Sequence, residues 1–156
     1  MNKSETINRK DVEYHCTMGA KGIENFSRFF TRNKLVGYTG ATEILDHYDA
    51  WMTTAKGKYI VEIKTRDVPH DVYDTLFIEC DKYAEGLCYH IQDGLIPLYI
   101  SFFNDGWCLA INLLDCMFPN KTMKKNARNK GYEGEVTESN VVYELPITKG
   151  RFFKYV

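Results

Sequence analysis

Asp49, Glu62 and Lys64 are the residues of this 156-residue chain whose types and spacing best suit chemistry. Glu62 and Lys64 lie two positions apart in the apolar run YIVEIKT. Residues at this spacing on a strand project their side chains from the same face of the sheet. Asp49 precedes Glu62 by 13 positions, so a hairpin can bring the two carboxylates and the ammonium together. Without a partner the carboxylates would repel, whereas a divalent cation between them favours both ionised forms.

The chemistry expected of such a group is phosphodiester hydrolysis. Oxygen ligands with open water positions suit Mg²⁺ or Mn²⁺ better than Zn²⁺. A cation held there can polarise a phosphodiester oxygen and acidify a water, while Lys64 orients that water or offsets charge on the pentavalent phosphorus. A Glu-x-Lys pair alone is weak support, because on a half-exposed strand it is usually a solvated ion pair worth under about 1 kcal/mol.

The surrounding pattern predicts the elements that would position these groups. Two strand-like runs, Ile44 to Thr53 and Lys58 to Thr65, are separated by a short link that contains Gly57, which indicates a β-hairpin. An amphipathic helix from Gly19 to about Asn33 precedes them. Its apolar positions are Ile23, Phe26, Phe29 and Phe30.

A second helix and further strands are expected after the hairpin. The helix should end at Asp93-Gly94, and Leu95 to Phe103 is almost continuously apolar, as in a strand buried on both faces. A turn then leads into Trp107 to Leu114, and a last strand is expected at Val141 to Pro146. This order predicts an α/β (α+β) domain with one mixed sheet flanked by helices. The apolar side of the second helix is predicted to contain Leu76, Cys80, Tyr83, Ala84, Leu87 and Ile91.

The pattern over residues 19–114 resembles the PD-(D/E)xK nuclease superfamily, which includes restriction enzymes, Holliday-junction resolvases and phage exonucleases. The resemblance rests on Tyr48-Asp49, a hairpin turn, and Val61-Glu62-Ile63-Lys64. The stretch TEILDHYD at residues 42–49 is also similar to small phage and bacterial members. Tyr48 stands where the family pattern has Pro, a variable position without a chemical role. The resemblance implies a restriction-endonuclease-like αβββαβ core and hydrolysis of nucleic-acid phosphodiesters with Mg²⁺.

The family pattern also implies a role for each motif residue. Asp49, Glu62 and the backbone carbonyl of Ile63 would bind the metal ion, and Lys64 would position the nucleophilic water. The expected substrate is DNA, and an endonuclease is favoured over an exonuclease. A homodimer would suit an enzyme that cuts both strands of a duplex, although no interface is visible in the sequence.

Three further residues are candidate auxiliary groups. Glu24 lies on the first predicted helix, where some family members carry an additional acid, and Lys82 lies on the second, where several relatives have a Lys or Gln facing the cleft. His47 would share the face of Asp49. Each has an ordinary alternative: an exposed helical Glu or Lys, or a strand His satisfied by a neighbour.

The basic residues concentrate at the C-terminal end of the chain. The net charge is −1, but residues 121–156 carry 8 Lys+Arg against 4 Asp+Glu, and the run at 121–130 has five basic side chains and no acid. This run is either a phosphate-binding patch or a solvated loop or helix face. We expect one domain over residues 1–156, with a core at about 19–114 and a basic extension at about 115–156. The candidate phosphate-binding residues are Lys121, Lys124, Lys125 and Arg128.

Other classes of protein fit the sequence less well. Five cysteines without a CxxC pair indicate free thiols in a reducing compartment, and no long apolar run or signal peptide is visible, so we expect a cytoplasmic protein without a membrane partner. No Walker loop or GxGxxG motif is present. Two alternatives stay open: a non-catalytic nucleic-acid-binding or assembly module with the same fold, and a protein without a nucleic-acid role in which Glu62 and Lys64 form a surface pair.

Overall fold

The computed structural model describes residues 9–42, 48–125 and 139–156, which contain two α-helices and nine strands. The helices are α1, Arg9–Arg32, and α2, Cys80–Asp93, and within the described ranges neither is both long and apolar enough to cross a membrane. Two short 3-10 helices cover Leu113–Asp115 and Ile147–Lys149. The strands are β1 Gly37–Ala41, β2 Ala50–Thr54, β3 Gly57–Thr65, β4 Thr75–Glu79, β5 Ile96–Phe102, β6 Trp107–Asn112, β7 Lys121–Lys125, β8 Ser139–Pro146 and β9 Arg151–Lys154.

A six-stranded mixed sheet forms the centre of the molecule. Its order is β1-β2-β3-β5-β6-β9, with β3 and β5 parallel and the other neighbours antiparallel. The elements α1, β1, β2, β3, α2 and β5 reproduce the predicted αβββαβ order, with β4 inserted before α2. A second, antiparallel sheet of order β4-β8-β7 was not predicted. The C-terminal strand β9 pairs with β6 and therefore belongs to the central sheet.

The helices cover opposite faces of the central sheet. Phe26 and Phe29 of α1 pack in one apolar cluster with Val61, while Tyr83 of α2 packs in a second cluster with Tyr99. Both faces of β5 are buried, as predicted for its apolar run. Because side chains alternate along a strand, Val61 faces α1 and the charged positions Glu62 and Lys64 face α2.

Several predicted boundaries were wrong. Helix α1 begins at Arg9 rather than near Gly19, because its first turns lack the apolar spacing used to locate it. Leu76 belongs to strand β4, where it is buried, and Ile91 is 81% exposed, so it does not contribute to a buried face of α2. Helix α2 ends before Gly94 as predicted, since this glycine has the left-handed φ of 68°. Strand β2 begins at Ala50, and residues 43–47 lie outside the described residues.

Candidate active site

The hairpin of β2 and β3 places Asp49 beside the charged positions of β3. Ala50 pairs with Val61, so the antiparallel register brings Asp49 opposite Glu62. The backbone N–H of Asp49 donates to the carbonyl oxygen of Val61 at 2.9 Å, and the N–H of Ile63 donates to Asp49 Oδ2 at 2.7 Å. Both the main chain and the carboxylate of Asp49 are therefore fastened to β3.

Glu62 is the buried centre of the charged group, with 1% of its surface exposed. Its Oε1 accepts from Lys64 Nζ at 2.9 Å and from Lys82 Nζ at 2.6 Å, the second lysine coming from α2. Its Oε2 is also buried and has no hydrogen-bond partner among the residues that the structure describes. The hypothesis of a solvated surface pair does not fit this burial.

Lys64 is held between two acidic side chains. Its Nζ lies 2.9 Å from Glu62 Oε1 and 3.7 Å from Oε1 of Glu79, the last residue of β4. Burial by itself would lower the pKa of Lys64, but the charges of Glu62 and Glu79 outweigh burial and raise it. The side chain is therefore an ammonium at neutral pH, a hydrogen-bond donor and not a proton acceptor.

Asp49 experiences the opposite balance of forces. Burial, and then the negative charge of Glu62, raise the pKa of Asp49 from 3.8 to about 6, although the N–H of Ile63 and the lysines Lys82 and Lys64 act to lower it. The repulsion between two carboxylates expected from the sequence is thus only partly relieved by the lysines. A positive charge placed next to Asp49 would relieve the rest.

The oxygen atoms at this site fit a hard divalent cation. The buried Glu62 Oε2 lacks a hydrogen-bond partner in the described chain, and the nearby Asp49 carboxylate is destabilised as an anion. The described residues contain no group of three or more His, Cys, Asp or Glu side chains placed to hold a metal. A cation here would have the Asp49 and Glu62 carboxylates and water as ligands, which suits Mg²⁺ or Mn²⁺.

Tyr48 connects the hairpin to α2. Its fully buried side chain donates a hydrogen bond from the hydroxyl to the carbonyl oxygen of Lys82 at 2.8 Å, and burial raises its pKa, so the hydroxyl keeps its proton. A Cβ at Gly86 would overlap this hydroxyl. Tyr48 therefore fixes the position of the helix that carries Lys82. The sequence signal for this contact was Gly86 inside a helix, where glycine costs about 1 kcal/mol relative to alanine.

The structure places two of the three auxiliary candidates, Glu24 and Lys82. Glu24 is exposed on α1 and pairs with Arg28 at 2.6 Å, and the described contacts do not join it to Asp49 or Glu62. His47 lies outside the described residues. Of the two candidates that the structure describes, Lys82 contacts a motif residue, Glu62.

The basic segment is only partly described. Lys121 to Lys125 form β7 at one edge of the small sheet, and the Lys121 side chain is exposed. The backbones of Lys124 and Lys125 pair with Asn140 and Ser139 of β8. Arg128 lies outside the described residues. A role for this segment in phosphate binding stays a prediction.

Comparison with known proteins supports the fold. A solved structure of Archaeoglobus fulgidus Hjc, a Holliday junction resolvase from an archaeal hyperthermophile, is similar to this chain with a TM-score of 0.51. The match covers 81% of this chain and 84% of that chain at 10% sequence identity. No protein-family model and no curated protein matches the sequence. The chain therefore has the restriction-endonuclease-like fold, with its mixed central sheet between two helices.

Proposed function

We propose that this protein is a metal-dependent nuclease that hydrolyses phosphodiester bonds of nucleic acid, with DNA as the expected substrate and internal bonds as the expected target. One observation carries the proposal: Asp49, Glu62 and Lys64 meet on a single hairpin, with the Glu62 carboxylate buried and one of its oxygens without a hydrogen-bond partner among the described residues. The fold shared with a Holliday junction resolvase supports the same chemistry.

Each residue of the group has a defined role in this proposal. Asp49, Glu62 and the Ile63 carbonyl would hold Mg²⁺ or Mn²⁺. When bound, such a cation supplies a Lewis acid that polarises a phosphoryl oxygen and lowers the pKa of a water. The Lys64 ammonium donates a hydrogen bond to the attacking water or to the phosphoryl oxygen on which charge develops. Lys82 adds a second positive charge from α2, with its Nζ 2.6 Å from Glu62 Oε1, and would attract the phosphate.

The cellular compartment and the oligomeric state of the enzyme are also part of the proposal. Cys80, Cys88, Cys108 and Cys116 are free thiols, which supports a reducing compartment such as the cytoplasm. We expect a homodimer if the enzyme cuts both strands of a duplex, because two copies related by a twofold axis can each address one strand.

A non-catalytic nucleic-acid-binding module is the second candidate function. The observation that favours it is the pairing of both lysines with Glu62 Oε1, which compensates the buried charge without a metal ion. Such a cluster could serve the stability of the fold alone.

Cleavage assays separate the two candidates. Supercoiled plasmid and a single-stranded oligonucleotide are incubated with Mg²⁺, Mn²⁺ or EDTA, and the same mixtures are analysed for gel shifts. A nuclease cuts with metal and not in EDTA, whereas a binding module shifts the DNA in all three conditions and cuts in none.

Variants of β3 then test the role of Lys64. Lys64→Ala should lower the cleavage rate by about 10²- to 10³-fold, the usual cost of removing one donor that stabilises developing charge. Lys58→Ala is the matched control, because Lys58 is an exposed lysine on the same strand. Equal rates for the two variants would remove Lys64 from the mechanism.

A further inference from the structure

Arg66 extends the row of charged residues on β3 by one more step. Glu62, Lys64 and Arg66 alternate along the chain, and the N–H of Arg66 donates to the carbonyl oxygen of Phe102 at 2.8 Å, so the extended backbone continues beyond Thr65. Resting on the nuclease proposed above, we infer that Arg66 binds a second backbone phosphate of the nucleic acid, next to the phosphate that is hydrolysed.

The guanidinium of Arg66 is held in a fixed position by strand β5 and by the loop after β3. Its Nε donates to Ser101 Oγ at 2.8 Å, and one terminal nitrogen donates to the Tyr99 hydroxyl at 2.9 Å. Tyr99 and Ser101 are fully buried and pair with Glu62 and Lys64 in the parallel register, so the guanidinium lies on the α2 face with the candidate site. The ring of Tyr73 lies 5.7 Å from the guanidinium carbon.

The charge of this guanidinium is not balanced by its neighbours. Both of its hydrogen-bond acceptors are neutral hydroxyls, and no carboxylate in the described part of the chain forms an ion pair with it. Arginine has five N–H donors and two are engaged, which leaves three for a ligand. A partly buried, fixed guanidinium with free donors suits an anion, and its planar fork matches the oxygens of a phosphate.

The position of Arg66 favours a neighbouring phosphate. Lys64 and Arg66 are two positions apart, which in extended chain is a distance of about 6.6 Å between their Cα atoms. Lys64 is tied to Glu62 at the candidate site, whereas Arg66 is tied to Tyr99 and Ser101 and does not contact the carboxylates. In this arrangement Arg66 positions the nucleic-acid strand through its neighbouring phosphate, while Lys64 acts on the phosphate that is hydrolysed.

Binding measurements in EDTA, where metal-dependent cleavage is absent, test this inference. A fluorescent DNA duplex is titrated with wild type, Arg66→Ala and Arg151→Ala at several salt concentrations. Arg151 is the matched control because it also lies over an aromatic ring, at 5.2 Å from Phe153, which packs against the cluster on the α1 side. Arg66→Ala should reduce the slope of log K against log salt by about 0.9, the value for one lost phosphate contact, and Arg151→Ala should leave the slope unchanged.

Phosphate replacement distinguishes a direct contact from a structural role. Neutral methylphosphonates are introduced into the duplex one position at a time. At one position, a methylphosphonate should weaken DNA binding by the wild type but not by Arg66→Ala. The methylphosphonate and the substitution remove the same contact, so their effects do not add. If Arg66→Ala does not fold, Arg66→Gln keeps a shorter polar side chain and removes the positive charge, and it should give the same two results.

The outcomes separate this inference from the proposed function. A wild-type salt slope and a wild-type methylphosphonate pattern in the Arg66 variant overturn the Arg66 contact, even if the wild type cuts DNA. If DNA binding depends on Arg66 as expected but the wild type does not cut DNA with Mg²⁺ or Mn²⁺, the Arg66 contact is supported and the proposed nuclease activity is overturned. A wild type that binds no DNA in EDTA and cuts none with Mg²⁺ or Mn²⁺ overturns both.

Discussion

Replacing Asp49 by asparagine should make the metal-free protein more stable while abolishing its response to metal. The Asp49 carboxylate is penalised as an anion, since burial and then Glu62 raise its pKa from 3.8 to about 6. Asparagine has nearly the same shape and its amide oxygen can still accept from the N–H of Ile63, a bond of 2.7 Å in the structure. The substitution therefore removes the repulsive charge and keeps the hydrogen bond.

The size of the effect follows from the pKa difference. A difference of about 2 pKa units corresponds to about 3 kcal/mol above pH 7, because each unit is worth 1.36 kcal/mol. For a chain of this size, a gain of about 3 kcal/mol would raise the unfolding temperature by roughly 6–12 °C, which is the upper limit of the effect. Metal acts in the other direction: Mg²⁺ at a hundred times its Kd stabilises the wild type by about 2.7 kcal/mol. Asp49→Asn should lack this gain, so the stability difference should nearly vanish in Mg²⁺.

The assay is thermal and chemical unfolding at pH 8 in EDTA and in Mg²⁺. Glu62→Gln is the contrasting variant: it weakens two ion pairs at a buried position and should destabilise the metal-free protein, by up to about 3–5 kcal/mol. It should also lose the response to Mg²⁺. Asp71→Asn, an exposed loop position, is the neutral control and should stay within about 0.5 kcal/mol of wild type.

The pH dependence has a defined sign. The pKa of Asp49 is higher in the folded state than in the unfolded state, so protonation of Asp49 stabilises the wild type increasingly as pH falls from above 6 to below about 4. The advantage of Asp49→Asn over wild type should therefore shrink across this range. Lower stability of Asp49→Asn than of wild type in EDTA at pH 8, or an unchanged Mg²⁺ response, would refute the reasoning.

Two further substitutions test the packing around the site and a loop contact. Gly86→Ala should lower stability by about 1–3 kcal/mol despite the better helix propensity of alanine, because its Cβ would overlap the Tyr48 hydroxyl and lie 2.9 Å from Pro97 Cβ; thermal unfolding of the variant and of Gly86→Ala with Tyr48→Phe, which should regain part of the loss, checks this. Burial acts to raise the pKa of Asp105, but hydrogen bonds from His70 outweigh burial and lower it. Asp105→Ala should therefore lower the free energy of unfolding by about 1 kcal/mol at pH 7 and by progressively less below about pH 4. Denaturant titrations of wild type and variant at pH 7 and below about pH 4 check this, and a loss of stability that is the same at both would contradict it.

Local patterns predicted much of the frame of the site. The alternation in YIVEIKT correctly placed Glu62 and Lys64 on one face of β3, and the apolar run at Leu95 to Phe103 correctly predicted the doubly buried β5. Gly94 correctly predicted the end of α2. These features depend on residues within a few positions of each other, so a single sequence contains the required information.

Long-range packing accounts for what could not be predicted. Leu76 fits the helical spacing of Cys80 and Tyr83, yet it belongs to β4, which pairs with the distant strand β8. The contact of Tyr48 with Lys82 joins residues 34 positions apart, and no local period encodes it. The same holds for the burial of Glu62, because a charged residue on a strand is ordinarily taken to face solvent.

The pairing of β9 with β6 has a consequence for synthesis on the ribosome. Strand β6 ends at Asn112, and its partner begins only at Arg151. While the chain grows, one side of β6 therefore presents free backbone N–H and C=O groups that another nascent chain could use as a template. We expect fragments that stop before Arg151 to depend on chaperones or to aggregate, and the finished sheet to form late in translation.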